Sequence, residues 1–195
     1  MINLVNIIKM KKIIFLIVLF FGLNSQAQVY SLSEDPGDLH NGMYIKDIDN
    51  LLSVFEGKWE TYYEGNKIVL SIDKVIKHPI KSLDINYESD VLFMRYTVED
   101  AQGNKIASTM DNNITDANII SIAANKYGEV GFSYKGEECG IGMGGIFLTI
   151  TNHGNNLGYE FQSNGGLIDL NQCPNAKNIK SYIPRTKSLY FSKTN

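Results

Sequence analysis

Side chains able to do chemistry are few in this chain and stand well apart. Its 195 residues hold 3 His and 2 Cys. His40, His78 and His153 are distant from one another, and two of them sit beside Asn41 and Gly154 in turn-like contexts. Neither a metal set nor a Ser/His/Asp relay is expected, and no Gly-x-Ser-x-Gly elbow accompanies them. Cys139 and Cys173 have no His or second thiol at ligand spacing. Asp111-Asn112-Asn113 with Asp116 offers hard oxygen ligands, but it lacks the Gly and the bidentate Glu of a calcium loop and reads as a solvated turn. The run Cys139-Gly140-Ile141-Gly142-Met143-Gly144-Gly145 invites a nucleotide reading. A P-loop, however, ends in Gly-Lys-Ser/Thr, and a dinucleotide fingerprint opens a helix. This run enters the β-branched segment 146–151 with no Lys, so it reads as a connection between strands. No catalytic residue, metal or cofactor is assigned, and the chain is read as a non-enzyme.

The remaining feature is aromatic abundance: 11 Tyr, 9 Phe and 1 Trp. Trp59, Tyr63, Tyr87, Phe132, Tyr134, Tyr159 and Phe161 fall in strand-like segments with an alternating face. Such residues fill a core, or, where a sheet closes on itself, line a cavity able to hold one small ligand. These seven are the candidate ligand-binding residues.

Several function classes are excluded by composition. Lys+Arg 18 against Asp+Glu 21 gives a net charge of −3, without the excess of base that a nucleic-acid face requires. A composition of 44% hydrophobic and 20% charged residues is that of a globular domain. At the N-terminus, Lys9-Met10-Lys11-Lys12 precedes the uncharged run Ile13–Leu23, which is signal-peptide length and too short to span a bilayer. Small residues at Ser25 and Ala27 predict cleavage after Ala27, leaving Gln28 first; Met10 is an alternative start. The cleaved segment carries only basic charge, so the remaining domain is more acidic still. Localisation is expected to be periplasmic, surface or extracellular, with no membrane span after cleavage. In an oxidising compartment, Cys139 and Cys173 are most simply one disulfide.

These residues must be positioned by the elements around them. Residues 28–43 form an irregular lead-in with Pro36, Gly37 and Gly42. Ile45, Ile48, Leu51, Leu52 and Phe55 recur at three- and four-residue steps up to Gly57, which predicts one amphipathic helix. Beyond Gly57 the apolar period falls to two. Trp59/Thr61/Tyr63, Ile68/Leu70/Ile72, Leu83/Ile85/Tyr87 and Leu92/Met94/Tyr96/Val98 alternate with polar residues. A hairpin turn is expected at Gly65-Asn66. Further strands are predicted at 105–110, 118–123, 130–134, 146–150, 157–161 and near Leu189/Phe191. About ten strands follow one helix, an all-β antiparallel meander forming a single domain over 44–195.

The order of a short helical segment, Gly57-Lys58-Trp59 opening the first strand, and a meander resembles that of lipocalin-like (calycin) proteins. The resemblance implies a barrel plugged at one end by Trp59, with Arg185, by its position, as the late-strand Arg stacked on it. The Thr-Asp-Tyr motif of that group is absent, since Thr115-Asp116-Ala117 stands too early, and no Arg-x-Tyr carboxylate clamp is evident. Over its full length the chain resembles exported flavobacterial (Bacteroidetes) proteins classed as a domain of unknown function. The shared features are Ala27/Gln28, Tyr44-Ile45-Lys46-Asp47-Ile48-Asp49, Phe55-Glu56-Gly57-Lys58-Trp59-Glu60, Leu70-Ser71-Ile72-Asp73-Lys74-Val75 and Cys173-Pro174. This resemblance implies a periplasmic or surface β domain and brings no activity with it. The expectation is a barrel that binds a small apolar or amphipathic ligand. The alternative is a cell-envelope protein-interaction module with a packed core and no ligand.

Overall fold

A computed structural model describes residues 28–34, 37–165 and 168–194. The expected signal segment, 1–27, lies outside the described residues. Eleven strands form one sheet: β1 (Val29–Ser31), β2 (Tyr44–Lys46), β3 (Gly57–Tyr63), β4 (Asn66–Ser82), β5 (Ile85–Glu99), β6 (Lys105–Ser108), β7 (Ile119–Asn125), β8 (Glu129–Tyr134), β9 (Gly144–Thr151), β10 (Asn156–Ser163) and β11 (Leu189–Thr194). Each of β3, β4, β5 and β7 to β11 pairs antiparallel with its neighbour. β11 returns to β3 and β7 returns to β5, so eight strands close into an up-and-down, lipocalin-like barrel. Closure removes the free edges that an open sheet would present.

The period-two pattern dictates which way each strand faces. Ile68, Leu70 and Ile72 of β4, Leu92, Met94, Tyr96 and Val98 of β5, and Phe132 and Tyr134 of β8 all belong to one buried cluster with Trp59 and Phe191. The two predicted segments around 85 and 95 are one 15-residue strand, paired along its length with the 17-residue β4. A bulge between Val75 and His78 bends this ribbon where it leaves the barrel. The β3–β4 turn falls one residue earlier than expected. Glu64 and Gly65 both have positive φ, 49° and 81°, as a two-residue hairpin turn of this type requires.

The expected helix over 44–55 is not formed. Tyr44 and Ile45 instead pair in parallel with Glu88 and Ser89 of β5, and β1 lies on the far side of β2. The helical ladder is pre-empted by Asp47, whose Oδ1 accepts the Leu51 N–H (2.7 Å) and whose Oδ2 accepts that of Leu52 (3.1 Å). Asn50 has φ of 55°, which no α-helix contains. Only a 3-10 turn, Ser53–Phe55, remains. The apolar stripe is still partly used: Leu52 and Phe55 close the bottom of the barrel, while Ile48 is 58% exposed.

Trp59 is the plug of that end. Its indole N–H donates to the Phe55 carbonyl (2.8 Å), and no part of it is exposed. The cation over its ring is Lys193, with Nζ 5.0 Å from the centroid, rather than Arg185. Arg185 lies over Phe161 and donates to Ser163 Oγ (3.0 Å). The correction follows from register: Lys193 of β11 pairs directly with Trp59 of β3, whereas Arg185 precedes that strand.

Candidate ligand sites

The barrel brings five of the seven candidate aromatics together. Trp59, Phe132, Tyr134, Tyr159 and Phe161 are all buried in the main core cluster. They interdigitate with aliphatic side chains, so their role is to fill the interior. Tyr63 packs against the same cluster from the rim. Tyr87 departs from the expectation: it lies on the stretch of β5 that runs beyond the barrel and faces an external groove.

The open end is roofed by a hydrogen-bonded strap. Tyr96 and Tyr134 both donate their hydroxyls to Glu137 Oε1, the latter at 2.6 Å. Tyr134 Oη is also 3.4 Å from Ser181 Oγ, and the Tyr159 hydroxyl donates to the Pro184 carbonyl (2.8 Å). Burial, reinforced by the Glu137 carboxylate, raises the pKa values of Tyr96 and Tyr134 well above the usual phenol range. Burial does the same for Tyr159, so all three remain proton donors. Cys139 and Cys173 are joined, with Cα atoms 6.2 Å apart, tying the β8–β9 loop to the long β10–β11 loop. The Gly-rich run permits the close packing of this roof. A Cβ on Gly142 would stand 2.6 Å from Ser181 Cβ, and one on Gly144 would stand 2.6 Å from Phe161 Cζ. Over the core remains a shallow mouth cleft of about 310 Å³, walled by Tyr63, Ile68, Val98, Tyr182 and Arg185.

A concavity larger than the mouth cleft lies outside the barrel. β5 and β7 pair only at Phe93↔Ile120 and Met94↔Ile119, and beside these the Leu92 N–H is taken by the Ser121 hydroxyl (2.8 Å). Before Leu92, β5 turns its edge to β2; after Ser121, a bulge carries β7 the other way. The two strands splay, leaving a groove of about 380 Å³. Ile80, Tyr87, Val91 and Ile120 give it apolar walls, and His78, Lys81 and Lys135 give it basic ones. The His78 ring stands edge-on against Phe93, centroids 4.9 Å apart. Burial and the nearby Lys135 charge lower the His78 pKa.

Groups set aside on sequence grounds occupy surface positions. His40 lies edge-on to Tyr30, His153 is exposed in the β9–β10 turn, and Asn113 donates to Asp116 within its own loop (3.0 Å). Among the described residues, no group of three His, Cys, Asp or Glu side chains converges as a metal site, and no helix is long and apolar enough to cross a membrane. No protein-family model, curated protein or solved structure matches the chain. The groove was missed in the sequence because it depends on where two strands part, and only the short side chains of Ser121 and Ala123 hinted at an interruption in β7.

Proposed function

We propose that this chain is an exported lipocalin-like protein that holds a small apolar or amphipathic ligand in the external groove between β5 and β7, without catalysis. The observation carrying this reading is a cavity of about 380 Å³, within the range of small-ligand sites, flanked by Ile80, Tyr87, Val91 and Ile120. The filled interior argues against a ligand held on the barrel axis. The Cys139–Cys173 bridge supports an oxidising compartment. The test is titration of 1-octanol into isotope-labelled protein, followed by amide shifts. Saturable shifts at Ile80, Tyr87, Val91 and Ile120, abolished by Ala123→Trp at the rim, are expected. Shifts confined to Tyr63 and Tyr182 would move the site to the mouth.

The second reading is an envelope interaction module. It is favoured by the packed core together with large apolar side chains in solvent, Leu83 at 90% and Ile122 at 69% exposure. Absence of any groove shift with octanol, together with a stoichiometric protein partner recovered from the native envelope, would select it.

A further inference from the structure

Three basic side chains line the groove: His78, Lys81 and Lys135. Among the described residues none of them has a carboxylate within ion-pair distance; the four ion pairs there use Lys67, Lys74, Lys77 and Arg95 instead. Among the described residues the one acid in the lining is Asp90, and both of its oxygens are already hydrogen-bonded. They accept the Tyr44 hydroxyl (2.7 Å) and the backbone N–H groups of Asp47 and Lys77 (3.0 Å each), and the residue is buried. Among the described residues no acceptor within hydrogen-bonding range meets the ring nitrogens of His78, which feel the charge of Lys135. The two lysines gathered at this concavity outnumber its one carboxylate and hold a positive potential there, and apolar walls strengthen it by excluding water.

We infer that the groove selects an amphipathic anion: an acidic head group set among His78, Lys81 and Lys135, and an apolar body along Ile80, Tyr87, Val91 and Ile120. The inference rests on the groove reading above and adds the head-group class to it. Carboxylate, sulfate and phosphate heads share the chemistry. A planar carboxylate needs only one or two N–H donors, whereas a sulfate or phosphate monoester uses all three bases. Near-surface ion pairs are individually weak, so discrimination comes from two or three acting together, amounting to about tenfold in affinity.

The experiment uses protein purified after expression of the full chain and one family of eight-carbon probes: octanoate, octyl sulfate, 1-octanol and octylammonium, each titrated calorimetrically and by amide shifts. Octanoate or octyl sulfate is expected to bind about tenfold more tightly than octanol, and octylammonium more weakly than either. Whichever of the two anions binds better identifies the head. In Lys81→Met/Lys135→Met, which keeps the side-chain length, the anion advantage is expected to fall to within about twofold while octanol affinity is unchanged. Equal binding of octanoate, octyl sulfate and octanol would overturn the anion assignment and leave the groove reading standing. Binding of no probe would overturn both. Anion binding that survives the double variant but is lost in Arg185→Met would overturn the assignment in favour of the mouth.

Discussion

The indole N–H of Trp59 donates to the carbonyl of Phe55 (2.8 Å), so the plug at the bottom of the barrel is fastened to the turn that leads into it. Both residues are almost wholly buried. Trp59→Phe keeps most of the apolar volume but leaves the Phe55 carbonyl without its donor, a loss of about 1–3 kcal/mol. Trp59→Ala adds a cavity and is expected to cost about 3–5 kcal/mol. Lys193→Ala removes only an exposed cation over the ring, about 0.5–1 kcal/mol. Urea unfolding curves should show the largest loss for Trp59→Ala, a smaller one for Trp59→Phe and the smallest for Lys193→Ala.

At the other end, Tyr96 and Tyr134 converge on one carboxylate oxygen of Glu137. Glu137→Gln retains a carbonyl acceptor and loses charge assistance, so a loss near 1 kcal/mol is expected. Glu137→Ala leaves two buried hydroxyls to find new partners, roughly 1–3 kcal/mol for each that fails. Thermal unfolding distinguishes the two. An alanine variant no less stable than the glutamine variant would show that water replaces the carboxylate without loss.

The Cys139–Cys173 bridge closes a loop of 34 residues and holds the roof over the mouth. Removing it as Cys139→Ser/Cys173→Ser should cost up to about 4 kcal/mol on the chain-entropy account. Amide exchange across Ser181–Arg185 should accelerate more than exchange in β3 and β4, because the roof has few ladder bonds of its own. Alkylation with and without reductant shows whether the bridge is formed in protein taken from its native compartment.

His78 supplies a pH dependence whose sign can be derived. Burial first, then the charge of Lys135, lowers its pKa below the ordinary 6.5, so the unfolded chain binds the proton more readily than the native one. The groove presents Lys81, Lys135 and the engaged carboxylate of Asp90 to it, with Phe93 in edge contact. Its contribution is favourable above pH 6.5 and is lost as pH falls through the lowered native value. His78→Gln should therefore flatten the decline in stability between pH 7 and pH 5 relative to the parent protein, as read from paired urea curves at each pH. A bound anion opposes this shift by favouring the imidazolium, so the flattening should shrink when octanoate is present.

Much of the barrel could be read from the chain because period-two alternation is a local property. Trp59, Leu70, Met94, Phe132 and Tyr159 each announced an inward face, and Cys139 with Cys173 left only one pairing. What could not be read depended on contacts far apart in sequence. Ile45 and Ile48 carry a helical spacing, yet Ile45 is drawn into a ladder with Ser89, across more than forty positions. The external groove is likewise a property of strand divergence. Tyr87 has the pattern of a barrel-lining residue because nothing nearby records that β5 has not yet entered the barrel at that point.

The carboxylate that overrides the helical pattern, Asp47, also provides the most demanding test of the N-terminal arm. Its side chain is fully buried and accepts three donors: the Leu51 and Leu52 N–H groups and the Lys74 ammonium, 2.6 Å away. Lys74 is itself only 15% exposed along its side chain, so it depends on Asp47 for its counter-charge. Asp47→Ala orphans two backbone donors and one half-buried cation, and should cost about 3–5 kcal/mol. Asp47→Asn supplies one carbonyl acceptor but turns an amide N–H₂ toward Lys74 or toward Leu52, and should be nearly as damaging. Asp47→Ala combined with Lys74→Met removes the stranded charge and should recover a measurable part of the loss. The readout that separates this account from a general loss of stability is local. Amide exchange in β2 and over Leu51–Phe55 should approach that of an open segment, while β8 to β10 keep their protection. Uniform acceleration across the whole barrel would mean instead that the arm and the barrel unfold as one unit.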